Sequence, residues 1–545
     1  MPLKRIVKSI VRRASLTGAD RRQPDANGAA RGLTQSLAAL SEAGDHRSAL
    51  ELAEQNLEAH SDDRAFVRQV RISAAKAGAI SLQRRATQLE LATWPDPKVE
   101  AQARAQLGRW RETDATWTPT IDVPLSPVEH PVPGRVLHML KISMPHRQSG
   151  YSMRSLYTLV GQRAAGLDPL AVTALDFPAV VGVTGAPAEE DVRGIRHLRL
   201  QRDDVPKNQP WDAYLDDWAT ALAPVVSREQ PEIVHVHSGS RGYEAALVGL
   251  AVAQATGLPL VYEVRGFFES LWTSDASWAE QSEMFQRRFD TETRCMLAAD
   301  AVVTLSESMR SEIVRRGVPA ERVHVVPNGV ETDIFVPTPR DPELVERLRL
   351  GGRYVFGYVS NLDHYREGHE LLVEAALHLR DRGVPATALI VGDGARRERL
   401  EALVDELGAR DVVVFTGKVP HDRVLDHYAL FDVFVIPRVD ERAARLVTPL
   451  KPFEAMAAGI PLVTSDLEAL REVTGDGQRG RYFRTGDATS LADVLADLYK
   501  APDERLRLAE AARRWVVAER QWSANGQRYR EIYDAVRAAR GTTRS

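Results

Sequence analysis

The chain has 545 residues, 44% apolar and 27% charged, with a formal net charge of −4. That length predicts several domains, and the near-neutral balance excludes bulk binding to nucleic acid. A single cysteine, Cys295, excludes an internal disulfide and a cysteine zinc site, which favours a reducing cytoplasm. Its setting, ETRCMLAAD, reads as buried core. No run reaches the roughly 18 apolar residues of a membrane span. The longest candidate, residues 245–262, is broken by Gln254, Gly257 and Pro259.

Residues 1–29 form a basic tail without the hydrophobic core of a signal peptide. Ile6, Val7, Ile10 and Val11 alternate with Lys4, Arg5, Lys8, Arg12 and Arg13. Two readings stand: an amphipathic helix lying on the inner face of the membrane, or a disordered tail. Residues 30–112 read as helical with an internal echo, because Gly44 and Gly78, like Asp62 and Asp96, are 34 apart. The echo resembles a degenerate tetratricopeptide pair. Two repeats are fewer than such arrays need, so the region either docks a protein partner or serves as a stabilising appendage. Residues 113–134 contain five prolines and read as an extended linker.

A domain spanning 135–330 follows. RVLHMLKI, PLAVTAL, EIVHVHS, LPLVYEV and ADAVVTL read as buried strands, each trailed by a helical stretch. That alternation predicts a parallel sheet with helices on both faces and a ligand site beyond the carboxyl ends of the strands. Candidate residues lie at those ends: His146, Gly150, Tyr151 and Arg154 after the first strand, then His237, Arg265 and Glu269. His235 and His237 share a sheet face, yet no third ligand for a metal is evident, and no Asp-x-Asp motif ends a strand, so no metal is expected. Asn328-Gly329 marks a turn before the next domain.

Residues 331–520 repeat the alternation through RYVFGYVS, TALIVGDG, DVVVFTGKV, DVFVIPR and IPLVTSD. Residues 521–545 continue as a final helix. The most informative stretch is 448–466, TPLKPFEAMAAGIPLVTSD. It predicts a helix capped by Thr448, with Pro449 at the first helical position and Gly459 at the end, leading into a short strand. Leu450, Phe453 and Ala457 should face the core. Lys451 and Glu454 are three apart and therefore neighbours on the surface. They are either a solvated ion pair or a ligand site, the helix N-terminus and Lys451 taking a phosphate and Glu454 accepting ribose hydroxyls.

The 448–466 stretch resembles the C-terminal signature of the family 4 retaining glycosyltransferases, in the branch reading TPLKP. SGYS (149–152), YEVRG (262–266) and PNGV (327–330) match further motifs, so the resemblance spans roughly residues 135–535. It implies a GT-B fold: two doubly wound Rossmann-like α/β domains facing a cleft, here with an N-terminal α-helical extension, and a last helix that crosses back to brace the first domain. It places Glu454 on the donor ribose, Gly150 near the diphosphate, and Gly417 and Lys418 at the base. The expected donor site comprises Gly150, Gly417, Lys418, Thr448, Leu450, Lys451 and Glu454. His146, Tyr151, Arg154, His237, Arg265 and Glu269 are expected around the acceptor, and Arg366, Lys451 and Glu454 at the reacting centre. The chain departs from the family pattern at Leu446, where a glutamate is usual, at Arg265, where most members have histidine, and at Asn361, where an arginine is usual. Arg366 either replaces that arginine or lies exposed.

The resemblance implies transfer of a sugar from a nucleotide-sugar, itself a substrate, to a glycan or lipid-linked acceptor, with retention and with neither cofactor nor metal. A nucleotide-binding scaffold and a sugar-nucleotide epimerase or hydrolase are the alternatives.

Overall fold

The computed structural model describes residues 26–202, 209–239, 241–420 and 423–543, so the basic-tail expectation lies largely outside the described residues. The chain divides into two bodies, 1–107 and 108–545.

The first body is helical. α1 (Ala26–Glu42) and α2 (His46–Asn56) form one hairpin, α3 (Arg64–Lys76) and α4 (Ile80–Thr93) another. Each hairpin turns at a left-handed glycine, Gly44 at φ 74° and Gly78 at φ 65°, so the 34-residue echo is a repeat of helical hairpins. Asp45 and Asp63 cap α2 and α3 by accepting the Ser48 and Phe66 amides at 3.2 and 2.9 Å. Leu37, Ala53, Leu57, Phe66, Val70 and Leu82 form the core.

In the second body, residues 113–134 contain no helix or strand, but they form a fixed strap rather than a free linker. Trp117, Ile121, Leu125 and Val128 pack on the core, and the Thr120 and Asp122 amides donate to Asp216 and Thr220 at 2.7 and 3.1 Å.

The first sheet comprises β1 (Arg135–Leu140), β2 (Asp168–Thr173), β3 (Glu189–Val192), β4 (Ile195–Leu198), β5 (Ile233–His237), β6 (Leu260–Glu263), β7 (Ala301–Thr304) and β8 (Val323–Val325). Their spatial order is β3-β4-β2-β1-β5-β6-β7-β8, parallel except for the β3–β4 pair. The second sheet holds β9 (Tyr354–Val359), β10 (Ala386–Val391), β11 (Val413–Gly417), β12 (Val433–Ile436), β13 (Leu462–Ser465) and β14 (Gly480–Phe483) in the all-parallel order β11-β10-β9-β12-β13-β14. Central strands are buried along their whole length, as sheets covered by helices on both faces require. The β3–β4 hairpin escapes the hydrophobic pattern because EEDV is polar, and its turn uses Arg193 and Gly194 at φ 56° and 80°.

Two helices matter for the site. α5 (Gly150–Ala164) follows β1, and α6 (Trp522–Thr543) closes the chain against it. Gly161 and Gly526 let the two backbones touch, so a Cβ at 526 would land on the Gly161 carbonyl. Tyr529, Ile532, Tyr533 and Val536 then fill a core with Val136, Ile233 and Val261, which braces the first sheet with the last helix.

Candidate functional site

In each sheet the strand order reverses at one place, between β1 and β5 and between β9 and β12. Crevices form at such switch points because loops leave in opposite directions beyond the strand ends. Two adjoining cavities lie there, of about 410 and 270 Å³. Both are lined by Gly150, Arg438, Pro449 and Leu450.

α5 opens onto these cavities. Ser149 caps it by accepting the Ser152 amide at 3.2 Å, while the Ser152 hydroxyl accepts the Ser149 amide at 2.8 Å. Gln148, Ser149 and Gly150 therefore present a 15-residue helix N-terminus to the larger cavity. The helix in the 448–466 stretch differs from the sequence expectation. It runs only Lys451–Ala457, Thr448 does not cap it, and Pro452 rather than Pro449 stands in its first turn. Thr448 is instead buried beside the smaller cavity with its hydroxyl unpartnered. Leu450 is half-buried on the cavity wall rather than in the core, unlike Phe453 and Ala457.

Lys451 and Glu454 do meet, Nζ to Oε2 at 2.9 Å, and the Tyr428 hydroxyl donates to the same oxygen at 2.7 Å. Lys451 and Glu454 line the larger cavity with Asn361, Tyr358 and Trp522. Trp522 is stacked on Tyr157 at 5.4 Å between ring centroids.

The smaller cavity is walled by four guanidiniums: Arg154, Arg265, Arg366 and Arg438. Two buried carboxylates hold three of them. Glu263 accepts Arg154 Nε at 3.0 Å and Arg265 Nε at 2.8 Å, and Glu367 accepts Arg438 Nη2 at 3.1 Å. Burial by itself would raise Glu263, but Arg265 and Arg154 overcome it and hold the carboxyl well below the usual range. Glu367 is likewise lowered against its burial, by Arg438 and the Tyr358 hydroxyl. Arg366 approaches a carboxylate only at 3.7 Å, at Glu367. With Glu263 and Glu367 behind it and Glu441 near Arg366, the wall of four guanidiniums stays net positive, which suits an anionic ligand.

Several candidates are placed elsewhere. His146 is 2.8 Å from Glu190 and lines neither cavity. Glu269 is buried against Arg316. Gly417 ends β11 and Lys418 follows it, both outside the two cavities, with Lys418 exposed. His237 is fully buried beneath the wall, its Nδ1 against Arg265 Nη2 and its Nε2 2.9 Å from His138 Nδ1. The expectation that no third ligand accompanies His235 and His237 is corrected: the β1–β5 register sets His138 opposite His235, and ligand atoms of all three lie within 4.8 Å of one another. His138 also meets Gln162 at 2.8 Å and His235 Nδ1 meets the Tyr533 hydroxyl at 2.5 Å, while His235 Nε2 is buried without a hydrogen-bond partner, 3.3 Å from Glu263 Oε2. Burial, with Arg265 close by, lowers all three below the usual histidine value, so they stay neutral. Leu446, at the family's glutamate position, packs into the core of the first sheet's domain.

Sequence reasoning missed Arg438, which lines both cavities, together with the charges of Glu263 and Glu367 that anchor the arginines. The available signal was an arginine immediately past the buried strand DVFVIP.

Residues 149–329 match the family described as glycosyl transferase 4-like domain, and residues 341–515 match glycosyl transferases group 1. The two matched spans lie one on each sheet's domain, so the chain carries a pair of glycosyltransferase-type domains on a GT-B fold. It is 33% identical over 246 residues to a GDP-mannose-dependent alpha-(1-6)-phosphatidylinositol monomannoside mannosyltransferase of Mycolicibacterium smegmatis, a match covering 44% of this chain and 64% of that protein. The chain therefore spans less than two thirds of that relative's length. Alpha-D-kanosaminyltransferase of Streptomyces kanamyceticus is 28% identical over 330 residues, covering 58% of this chain and 80% of that one. The structure of sucrose-phosphate synthase from Thermosynechococcus elongatus superposes with TM-score 0.60 at 20% identity, covering 74% of this chain and 100% of that one, a likeness of fold.

Proposed function

We propose that this chain transfers a sugar from a nucleotide-sugar to a hydroxyl of a glycan or lipid-linked acceptor, with retention of configuration and without a metal ion. The observation that carries the reading is the net positive wall of Arg154, Arg265, Arg366 and Arg438, beside a cavity lined by Glu454. In this reading Glu454 accepts ribose hydroxyls in the larger cavity, and the α5 N-terminus with the arginine wall takes the diphosphate.

The acceptor oxygen attacks the anomeric carbon from the leaving group's own face, the carbon–oxygen bond to phosphate breaks, and the acceptor proton passes to a phosphate oxygen. Negative charge grows on the diphosphate as that bond breaks. Preorganised guanidiniums stabilise that charge more in the transition state than in the ground state. Arg366, 3.7 Å from Glu367, adds a fourth cation to the wall that takes the departing phosphate. No protein base is needed, in keeping with neutral, buried histidines. Closure of the two domains would limit hydrolysis of the donor.

Thermal-shift measurements with a panel of nucleotide-sugars, each with and without EDTA, test the reading. Stabilisation by one donor, unchanged by EDTA, is expected. No shift with any donor on folded protein, or a shift abolished by EDTA, would overturn it or its metal-free clause respectively.

A further inference from the structure

A third cavity of the second body, about 390 Å³, adjoins the smaller of the two above. Leu271 lines both it and the 270 Å³ cavity, and Tyr365, on its wall, precedes Arg366 in the chain. The first sheet's domain contributes Trp272 and Glu280, and the second contributes Asp363, Tyr365, Arg396 and Glu441.

Three observations bear on its occupant. Trp272 and Tyr365 are both half-buried, and the Trp272 ring is pinned because its indole N–H donates to the Ala279 carbonyl at 3.2 Å. Half-buried aromatic rings offer flat apolar surface to a ligand with one apolar face and a polar rim. Second, Glu441 Oε2 and Arg396 Nη1 are buried without a hydrogen-bond partner. A buried orphan acceptor and a buried orphan donor on one cavity require an explanation, and a ligand carrying hydroxyls, each both donor and acceptor, satisfies both. Third, the lining carries three carboxylates, Glu280, Asp363 and Glu441, against one guanidinium, Arg396, whose Nη2 already donates to Glu370, although Arg366 and Arg438 also act on Glu441 from behind the wall. The cavity thus disfavours anions, in contrast to the arginine wall beside it. Burial raises the Glu441 carboxyl above its ordinary value, opposed by the Arg366 charge and the Tyr365 hydroxyl.

We infer that this cavity binds an uncharged pyranose ring of the acceptor, stacked on Trp272 or Tyr365 and hydrogen-bonded to Glu441 and Arg396. The acceptor is then an oligosaccharide whose reacting sugar reaches the arginine-walled cavity while its next ring rests here. A phosphorylated or otherwise anionic sugar is excluded from this position. The word acceptor rests on the transferase reading; the saccharide site itself does not.

Saturation-transfer NMR on the full chain, with cellobiose, α-1,6-mannobiose and lactose as neutral probes and glucose 6-phosphate as the anionic one, tests the inference. At least one neutral disaccharide should bind, with affinity reduced about tenfold by Trp272→Ala and severalfold by Glu441→Gln, while stabilisation by the nucleotide-sugar is retained. Glu441→Gln preserves size and serves where Trp272→Ala loosens the fold. Binding only of glucose 6-phosphate, no neutral binding, or neutral binding indifferent to both substitutions would overturn the site. Disaccharide binding sensitive to both substitutions, in a chain that no nucleotide-sugar stabilises, would keep the site and overturn the transferase reading instead.

Discussion

Replacing Glu454 by alanine separates a ligand carboxylate from a solvated ion pair. Its side chain is 16% exposed and lines the larger cavity, and its hydrogen bonds from Lys451 Nζ and the Tyr428 hydroxyl both fall on Oε2. A hydroxyl donating to a carboxylate contributes about 1.5–3 kcal/mol, so loss of one such contact weakens nucleotide binding by about tenfold to a hundredfold. The substitution also strands the buried Tyr428 hydroxyl, which costs about 1–3 kcal/mol of stability. The two effects are read apart. Calorimetric titration with the cognate nucleoside diphosphate reports the first, and urea unfolding reports the second. Glu454→Gln retains an acceptor oxygen while unpairing Lys451, so its binding loss should fall between wild type and alanine. An affinity within about threefold of wild type for Glu454→Ala, on folded protein, would refute the ribose assignment and return Glu454 to a structural ion pair.

Two further outcomes follow from packing and burial. Gly526→Ala places a methyl against the Gly161 carbonyl, a backbone atom that cannot turn aside, so unfolding free energy should fall by about 1–3 kcal/mol. Unchanged urea stability would mean that the α5–α6 crossing is looser than the structure shows. Glu292 is fully buried, donated to by the Tyr262 hydroxyl at 2.6 Å, and burial pushes its carboxyl up to about 8. The folded chain keeps a proton there that the unfolded chain releases above the ordinary value of 4.5, so this group's contribution falls as pH rises from 4.5 through 8, by about 1.4 kcal/mol per pH unit. Glu292→Gln removes the titration, and its stability relative to wild type should climb between pH 5 and pH 8; a gap independent of pH would refute it.

Much of the architecture is legible along the chain because its signals are local. Alternating buried strands and helices announce two parallel sheets, the 34-residue echo announces paired hairpins, and the three-residue spacing of Lys451 and Glu454 fixes their contact within a helix. Thr448 shows where local signals fail: its residue type suits a cap, yet the chain entering the helix is held by Asn328, whose amide donates to the Thr448 carbonyl at 2.9 Å. The arginine wall was only partly legible for the same reason. Arg154 meets Glu263 across 109 positions and Arg438 meets Glu367 across 71, so neither pair leaves a periodic trace. His138 joins His235 and His237 only through the register of β1 against β5. Local spacing determined which elements form and what each can carry. Sheet register and the facing of the two domains decided which charges share a cavity, because electrostatic partnership depends on distance in space rather than distance along the chain.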